Sequence, residues 1–262
     1  MGMSAGIEAI FRWLHVLAGV VWVGHLYFFN FVNGPFSGKI DAATKKSVVP
    51  ELMPRALYWF RWGAAWTWVT GILLLGMVYY QNKTAVDIDT GFTPGTFIML
   101  AVAFLAFLLY DALFKSPLAK NIKAASTIAF VLLSVVVFLF VSFGNFSYRG
   151  TLIHTGVMFG TIMAFNVWFR IWPAQQKIIR AIKEGTPPDA DTVKLAGLRS
   201  RHNTYMSVPL LWAMLGQHTT YFAGGNLGIP GRYYWLAWLV IILISWHIVF
   251  HLYKKAAKVQ GF

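Results

Sequence analysis

The chain has 262 residues, 58% of them hydrophobic and 12% charged, and a mean hydropathy of +0.59. That leaves too little polar surface to coat a globule, so the composition excludes a water-soluble fold and predicts an all-α integral membrane protein. Lys and Arg outnumber Asp and Glu by 22 to 9, a formal net charge of +13, and the absence of cysteine excludes disulfides, iron–sulfur clusters, thiol catalysis and covalently attached c-type haem.

Seven apolar stretches are long enough to cross a bilayer at roughly twenty residues each. They predict a seven-transmembrane-helix bundle, one membrane domain over 1–262, with spans at 8–32, 57–80, 95–114, 124–145, 150–172, 203–223 and 232–254. The first span is read as a retained helix, because Glu8 and Arg12 lead straight into apolar sequence without a basic leader and a cleavage site. It carries His15 and His25. The second is bounded by Tyr58, Trp59 and Trp62 at one end and by Tyr79 and Tyr80 at the other, the aromatic belts of the two interfaces. Asp111, late in the third, is the one carboxylate close to a span interior and a possible proton-relay partner. The fifth holds His154 and a Gly156–Gly160 pair spaced for close helix packing. The sixth holds His218, and the seventh holds His247 and His251.

The connecting segments alternate in charge. Lys39, Lys45, Lys46 and Arg55 precede the second span, Lys115, Lys120 and Lys123 follow the third, and Lys177 to Arg201 lie between the fifth and sixth, whereas Asp87 and Asp89 outweigh Lys83 between the second and third. With Lys254, Lys255 and Lys258 in the tail, the positive-inside rule predicts the N-terminus outside and the C-terminus cytoplasmic. The charge then reflects topology and contact with phospholipid, and no nucleic acid is expected as a partner. The longest polar connection, around Glu184 to Pro188, is expected to carry a short amphipathic surface helix.

Intramembrane histidines are costly in lipid and point to haem ligation or proton movement. At about 1.5 Å of rise per residue, His15 and His218 fall at one depth on the outer side, with His154 nearby, and His25 and His247 fall at one depth on the inner side, with His251 a turn beyond. A b-type haem takes one imidazole on each face of the iron from different helices, so His15 with His218 and His25 with His247 are the expected axial pairs for one or two haems b, with His154 and His251 as alternates. The ten residues between His15 and His25 give about 15 Å of rise but leave the two imidazoles about 80° apart in azimuth. A second constellation, Arg199 to Tyr205, opens the sixth span, where backbone N–H groups and the helix dipole favour an anion. Asn30, Asn33, Arg55, Asn166 and Arg170 are expected at similar depth. A flat anionic or quinone-like ligand suits such a pocket. Read blandly, the histidines are helix–helix hydrogen bonds and the arginines are interfacial anchors.

The segments Trp13–His25, Pro54–Gly63, His154–Gly156, Gly160–Val167 and Leu198–Tyr205 through Pro209 resemble the membrane part of the bacterial membrane-bound, cytochrome-linked urate oxidases, and the resemblance spreads over nearly the whole chain. It implies a multi-pass protein of the bacterial inner membrane that oxidises urate toward 5-hydroxyisourate and passes the electrons to a cytochrome c. In full-length relatives a c-type cytochrome domain follows the membrane part; here it is not seen, so a separate cytochrome c or a partner subunit is expected as acceptor. The site expected for urate chemistry is Arg201, His202 and Asn203. Two alternatives stand beside it: a haem-bearing, quinol-served electron-transfer subunit of a larger complex, and a cofactor-free structural or transport subunit.

Overall fold

A computed structural model describes residues 2–216 and 233–260, and His218 lies outside the described residues. Among the described residues there is no strand, only an isolated bridge between Val86 and Phe146. The chain forms α1 (Gly2–Tyr27), α2 (Gly34–Ser37), α3 (Ala42–Leu74), α4 (Pro94–Lys115), α5 (Ile122–Ser142), α6 (Tyr148–Asn166), α7 (Trp172–Glu184), α8 (Ala190–Leu215) and α9 (Tyr234–Ala256). Six helical stretches among the described residues are long and apolar enough to cross a membrane, at Ala5–Ser37, Ala42–Tyr80, Pro94–Lys115, Ile122–Ser142, Tyr148–Glu184 and Tyr234–Ala256. The expected sixth span coincides with the second half of α8 and then leaves the described residues. The protein is therefore an all-helical, multi-pass membrane protein.

Local chemistry sets the helix ends. Thr93 and Thr96 exchange side-chain and backbone bonds in a capping box ahead of α4, with Pro94 at its first position. The Asn121 side chain accepts from the Ala124 amide and starts α5. Gly185 closes α7 in the left-handed region at φ 76°, which only glycine enters without strain. Asp189 then accepts from the amide and hydroxyl of Thr192 and starts α8; those bonds, the hydroxyl first, hold its carboxyl below the ordinary carboxylate range.

The structure differs from the sequence expectation at two connections. The segment before the second span, expected as a basic loop, is helical from Ala42, because Asp41 accepts from the amides of Ala43 and Thr44 and the helix then runs through Pro50 and Pro54. The surface helix expected after the fifth span is α7, which continues α6 through a π-helical segment at Val167–Ile171 and leaves only a short link to α8. Two more π-helical segments, Phe28–Asn33 and Leu75–Tyr80, end α1 and α3. Such widened turns shift the azimuth of the residues beyond them and recur at functional sites.

The helices gather into two compact units. One contains Met1–Ile72, Met163–Val208 and Ser245–Phe262; the other contains Leu73–Ile162 and Pro209–Ile244. In the first, α1 and α3 approach until backbones touch: a Cβ on Gly63 would lie 3.0 Å from the Trp22 nitrogen and 3.2 Å from the Ala18 oxygen. In the second, the expected Gly156–Gly160 contact holds at Gly156, where a Cβ would meet Met214 at 2.6 Å, and not at Gly160, which has nothing within 4 Å.

Candidate functional site

Two histidines of α1 have the hydrogen-bond pattern of metal ligands. His15 Nδ1 lies 3.1 Å from the Thr70 hydroxyl, whose own hydrogen goes to the Trp66 carbonyl at 2.6 Å. The hydroxyl can therefore only accept from His15, which places the imidazole proton on Nδ1 and the lone pair on Nε2. Gly71 makes room for this ring: a Cβ there would lie 3.1 Å from His15 Cε1. His25 Nδ1 lies 2.7 Å from the Val21 carbonyl, which cannot donate, so its lone pair is on Nε2 as well. Neither Nε2 makes a hydrogen bond among the described residues, and both rings are half-buried. An anchored Nδ1–H with a presented Nε2 is the arrangement that orients an imidazole toward a metal and raises its basicity. These two side chains fit a haem iron on that count.

The other histidines differ. His154 is fully buried, donates from Nδ1 to the Gly150 carbonyl at 2.7 Å and accepts at Nε2 from the Tyr80 hydroxyl at 2.8 Å. Its ring stacks on Phe146 at 3.8 Å. Both nitrogens being engaged, His154 as placed has no lone pair to give to iron. His247 and His251 are exposed on α9, with Nε2 atoms 3.0 Å apart. At 100° per residue they lie across the helix from the buried Ile242, Ser245 and Val249. Using His247 as a ligand through Nε2 requires breaking that bond. Asp111 forms an i,i+4 ion pair with Lys115 at 2.8 Å near the end of α4.

The first unit also contains a polar cluster where α1, α8 and α9 meet. Asn30, inside the π-helical segment, donates to the Leu26 carbonyl at 2.9 Å and to the Ser200 hydroxyl at 2.8 Å. Its oxygen accepts from Tyr253 at 2.8 Å. The exposed Arg201 lies 5.2 Å from the centroid of the Tyr253 ring, and Tyr205 stacks on that ring at 6.1 Å. Consecutive helical residues point 100° apart, so Arg201, His202 and Asn203 do not share a face. Arg201 faces the tyrosines, His202 is half-buried, and Asn203 is fully buried, donating to the Met163 carbonyl and accepting from Asn166, each at 2.9 Å. Asn203 thus ties α8 to α6. Arg199, expected as an interfacial anchor, is fully buried. Asn33 donates to the Met53 sulfur, Arg170 to the Phe169 carbonyl, and Arg55 pairs with Glu51 on an exposed face.

A family model described as urate oxidase N-terminal matches residues 32–261. The chain belongs to that family. The match covers α2 to α9 and with them every residue of the polar cluster except Asn30, while the two α1 histidines precede it. No curated protein and no solved structure matches the chain. Within this urate oxidase N-terminal domain, residue types alone did not single out Thr70 or Tyr253, gave Tyr80 only as an interfacial aromatic, and gave Ser200 only as a member of the run Arg199 to Tyr205. The available signal was weak, since Ser200 and Tyr205 flank Arg201 but Tyr253 reads simply as an interfacial aromatic.

Proposed function

We propose that this protein is a membrane-bound oxidoreductase that takes electrons from urate at the Arg201–Tyr253–Asn30 cluster and delivers them to a cytochrome c, with His15 and His25, about 15 Å apart along α1 and so on separate irons, as ligands of haem b. Family membership supports the substrate, and the observation that carries the redox reading is the pair of α1 imidazoles with anchored Nδ1–H and presented Nε2. When bound, haem b would supply one-electron transfer between the substrate side and the acceptor.

The chain's own groups suit the remaining tasks. Arg201, in no ion pair among the described residues, can hold a urate monoanion by a charge-assisted bond. The Tyr205 and Tyr253 rings offer the flat purine a stacking surface. The Asn30 amide, with every donor and its acceptor used internally, fixes Tyr253 and Ser200 in place. Oxidation of urate with addition of water releases two electrons and two protons. The membrane would be a bacterial inner membrane, with the cluster on its cytoplasmic side.

The test is a reduced-minus-oxidised visible spectrum of the detergent-purified protein with dithionite and then with urate. The expected result is a b-type spectrum that urate elicits in the wild type, that Arg201→Gln shows with dithionite but loses with urate, and that His15→Ala and His25→Ala diminish under both. A b-type spectrum indifferent to urate would leave an electron-transfer subunit served by another donor. No haem signal would overturn the ligand assignment altogether.

A further inference from the structure

Arg61 sits in α3, within the candidate span Ala42–Tyr80, and its surroundings are entirely aromatic. The guanidinium carbon is 4.2 Å from the Trp172 ring centroid, 5.7 Å from Trp168 and 5.8 Å from Tyr58. Trp168 is itself fixed by its indole N–H, which donates to the Arg61 carbonyl at 3.1 Å. The three rings stabilise a cation through their faces but offer its N–H groups no acceptor. Among the described residues the Arg61 side chain makes no ion pair and donates no hydrogen bond, and its Nε is buried. A guanidinium stays charged and carries five donors; here Nε is buried without a partner while the residue as a whole is half-buried, so the remaining donors face out of the protein. The acceptor must come from outside the chain.

We infer that Arg61, with Tyr58, Trp168 and Trp172, forms a binding site for the phosphate of an anionic phospholipid. The planar fork of an arginine matches the oxygens of a phosphate, and with one face on the Trp172 indole and Nε buried, the two terminal N–H groups are left for such a ligand. The depth selects the source. Exposed Tyr58, Trp59 and Trp62 surround the position, and Trp and Tyr concentrate at the level of lipid headgroups. Tyr58 also borders an open groove lined by Pro50, Pro54, Trp59 and the ion pair of Glu51 with Arg55, and α3 continues outward with exposed Trp66, Val69 and Leu73, an apolar strip along which an acyl chain can lie. This site uses none of the residues assigned to urate or haem.

Native mass spectrometry of the delipidated protein in detergent, with dioleoyl phosphatidylglycerol and dioleoyl phosphatidylcholine added at equal concentration, tests the inference. One phosphatidylglycerol is expected to remain on the wild type in preference to phosphatidylcholine. Arg61→Gln is expected to weaken that binding roughly tenfold or more, the loss of one hydrogen-bonded charge, while Arg12→Gln, which removes an exposed arginine paired with Glu8, leaves it unchanged. Should Arg61→Gln not fold, the wild-type competition alone decides, because equal retention of both lipids overturns the inference. Displacement of phosphatidylglycerol by millimolar inorganic phosphate makes the site one for free oxyanions, and displacement by urate makes it the substrate pocket. Either result removes the lipid assignment, and neither depends on whether urate reduces a haem.

Discussion

The imidazole of His154 shows how strongly context decides what a residue can do. It has the same protonated Nδ1 as His15 and His25, but the Tyr80 hydroxyl occupies its Nε2 and the ring is sealed against Phe146. As placed it forms a buried hydrogen-bonded pair that ties the end of α3's π-helical extension to α6. Removing the donor leaves a buried lone pair unsatisfied, which costs about 1–3 kcal/mol. Tyr80→Phe should accordingly destabilise the protein by that amount in chemical unfolding followed in detergent, with haem content per protein unchanged. Haem loss at unchanged stability would instead return His154 to the iron. At the same scale, Asn203 stands in the motif expected for chemistry yet spends its amide on Met163 and Asn166. Asn203→Ala should lower stability more than it lowers the affinity for urate, a comparison that unfolding and urate titration of one preparation provide.

At the scale of helices, the sequence is most legible where apolar runs are uninterrupted and end in local caps. The expected 95–114 and 124–145 lie within a few residues of α4 and α5, each opened by a side-chain cap. It is least legible where prolines and lysines mimic a loop, as over Ala42 to Leu57, where the first turn is held by Asp41 and the prolines cost bonds that a water-accessible helix end can replace. Contacts across the fold leave still less trace. Thr70 is 55 positions from His15, Tyr80 is 74 from His154, and Tyr253 is 223 from Asn30, and no local pattern announces such partners. Matched depth came from counting residues, but azimuth did not, and azimuth is what puts His247 on an exposed face. Glycines divide in the same way. Gly156 and Gly160 are the two ends of one G-x-x-x-G pair and only Gly156 meets a neighbour, yet Gly63, outside any such pair, makes a rigid backbone approach. Gly63→Ala should push α1 from α3 and cost about 1–3 kcal/mol by overpacking, whereas Gly160→Ala should be neutral or gain up to about 1 kcal/mol from helix propensity. Because α1 carries His15 and His25, Gly63→Ala should also lower haem retention, so the two variants compared by unfolding and by visible spectrum separate helix approach from simple glycine replacement.

For the whole molecule, the direction of the proposed electron flow depends on which membrane face receives the polar cluster, and the charge asymmetry of the chain predicts the cytoplasmic one. Lys39, Lys45 and Lys46 precede and begin α3, Lys177, Arg180 and Lys183 lie on α7, and Lys254, Lys255 and Lys258 end the chain, all in the unit that also contains Asn30, Arg201 and Tyr253. The connection holding Asp87 and Asp89 has a single lysine, Lys83, whereas the one after α4 has Lys115, Lys120 and Lys123 and belongs with the basic connections. Positive residues in short connections are retained on the cytoplasmic side during insertion, while acidic ones have little effect. A green fluorescent protein fused after Phe262 should therefore fluoresce, and alkaline phosphatase inserted between Asp87 and Asp89 should be active. With that orientation the proposed reaction would draw urate from the cytoplasm, where the exposed Arg201 would meet it, and would send electrons toward an external cytochrome c without the substrate crossing the bilayer. The opposite pair of results, a dark fusion and an inactive insertion, would place Arg201 outside, and urate and the cytochrome would then have to be served from the same face, which removes the reason for an electron path through the span of α1.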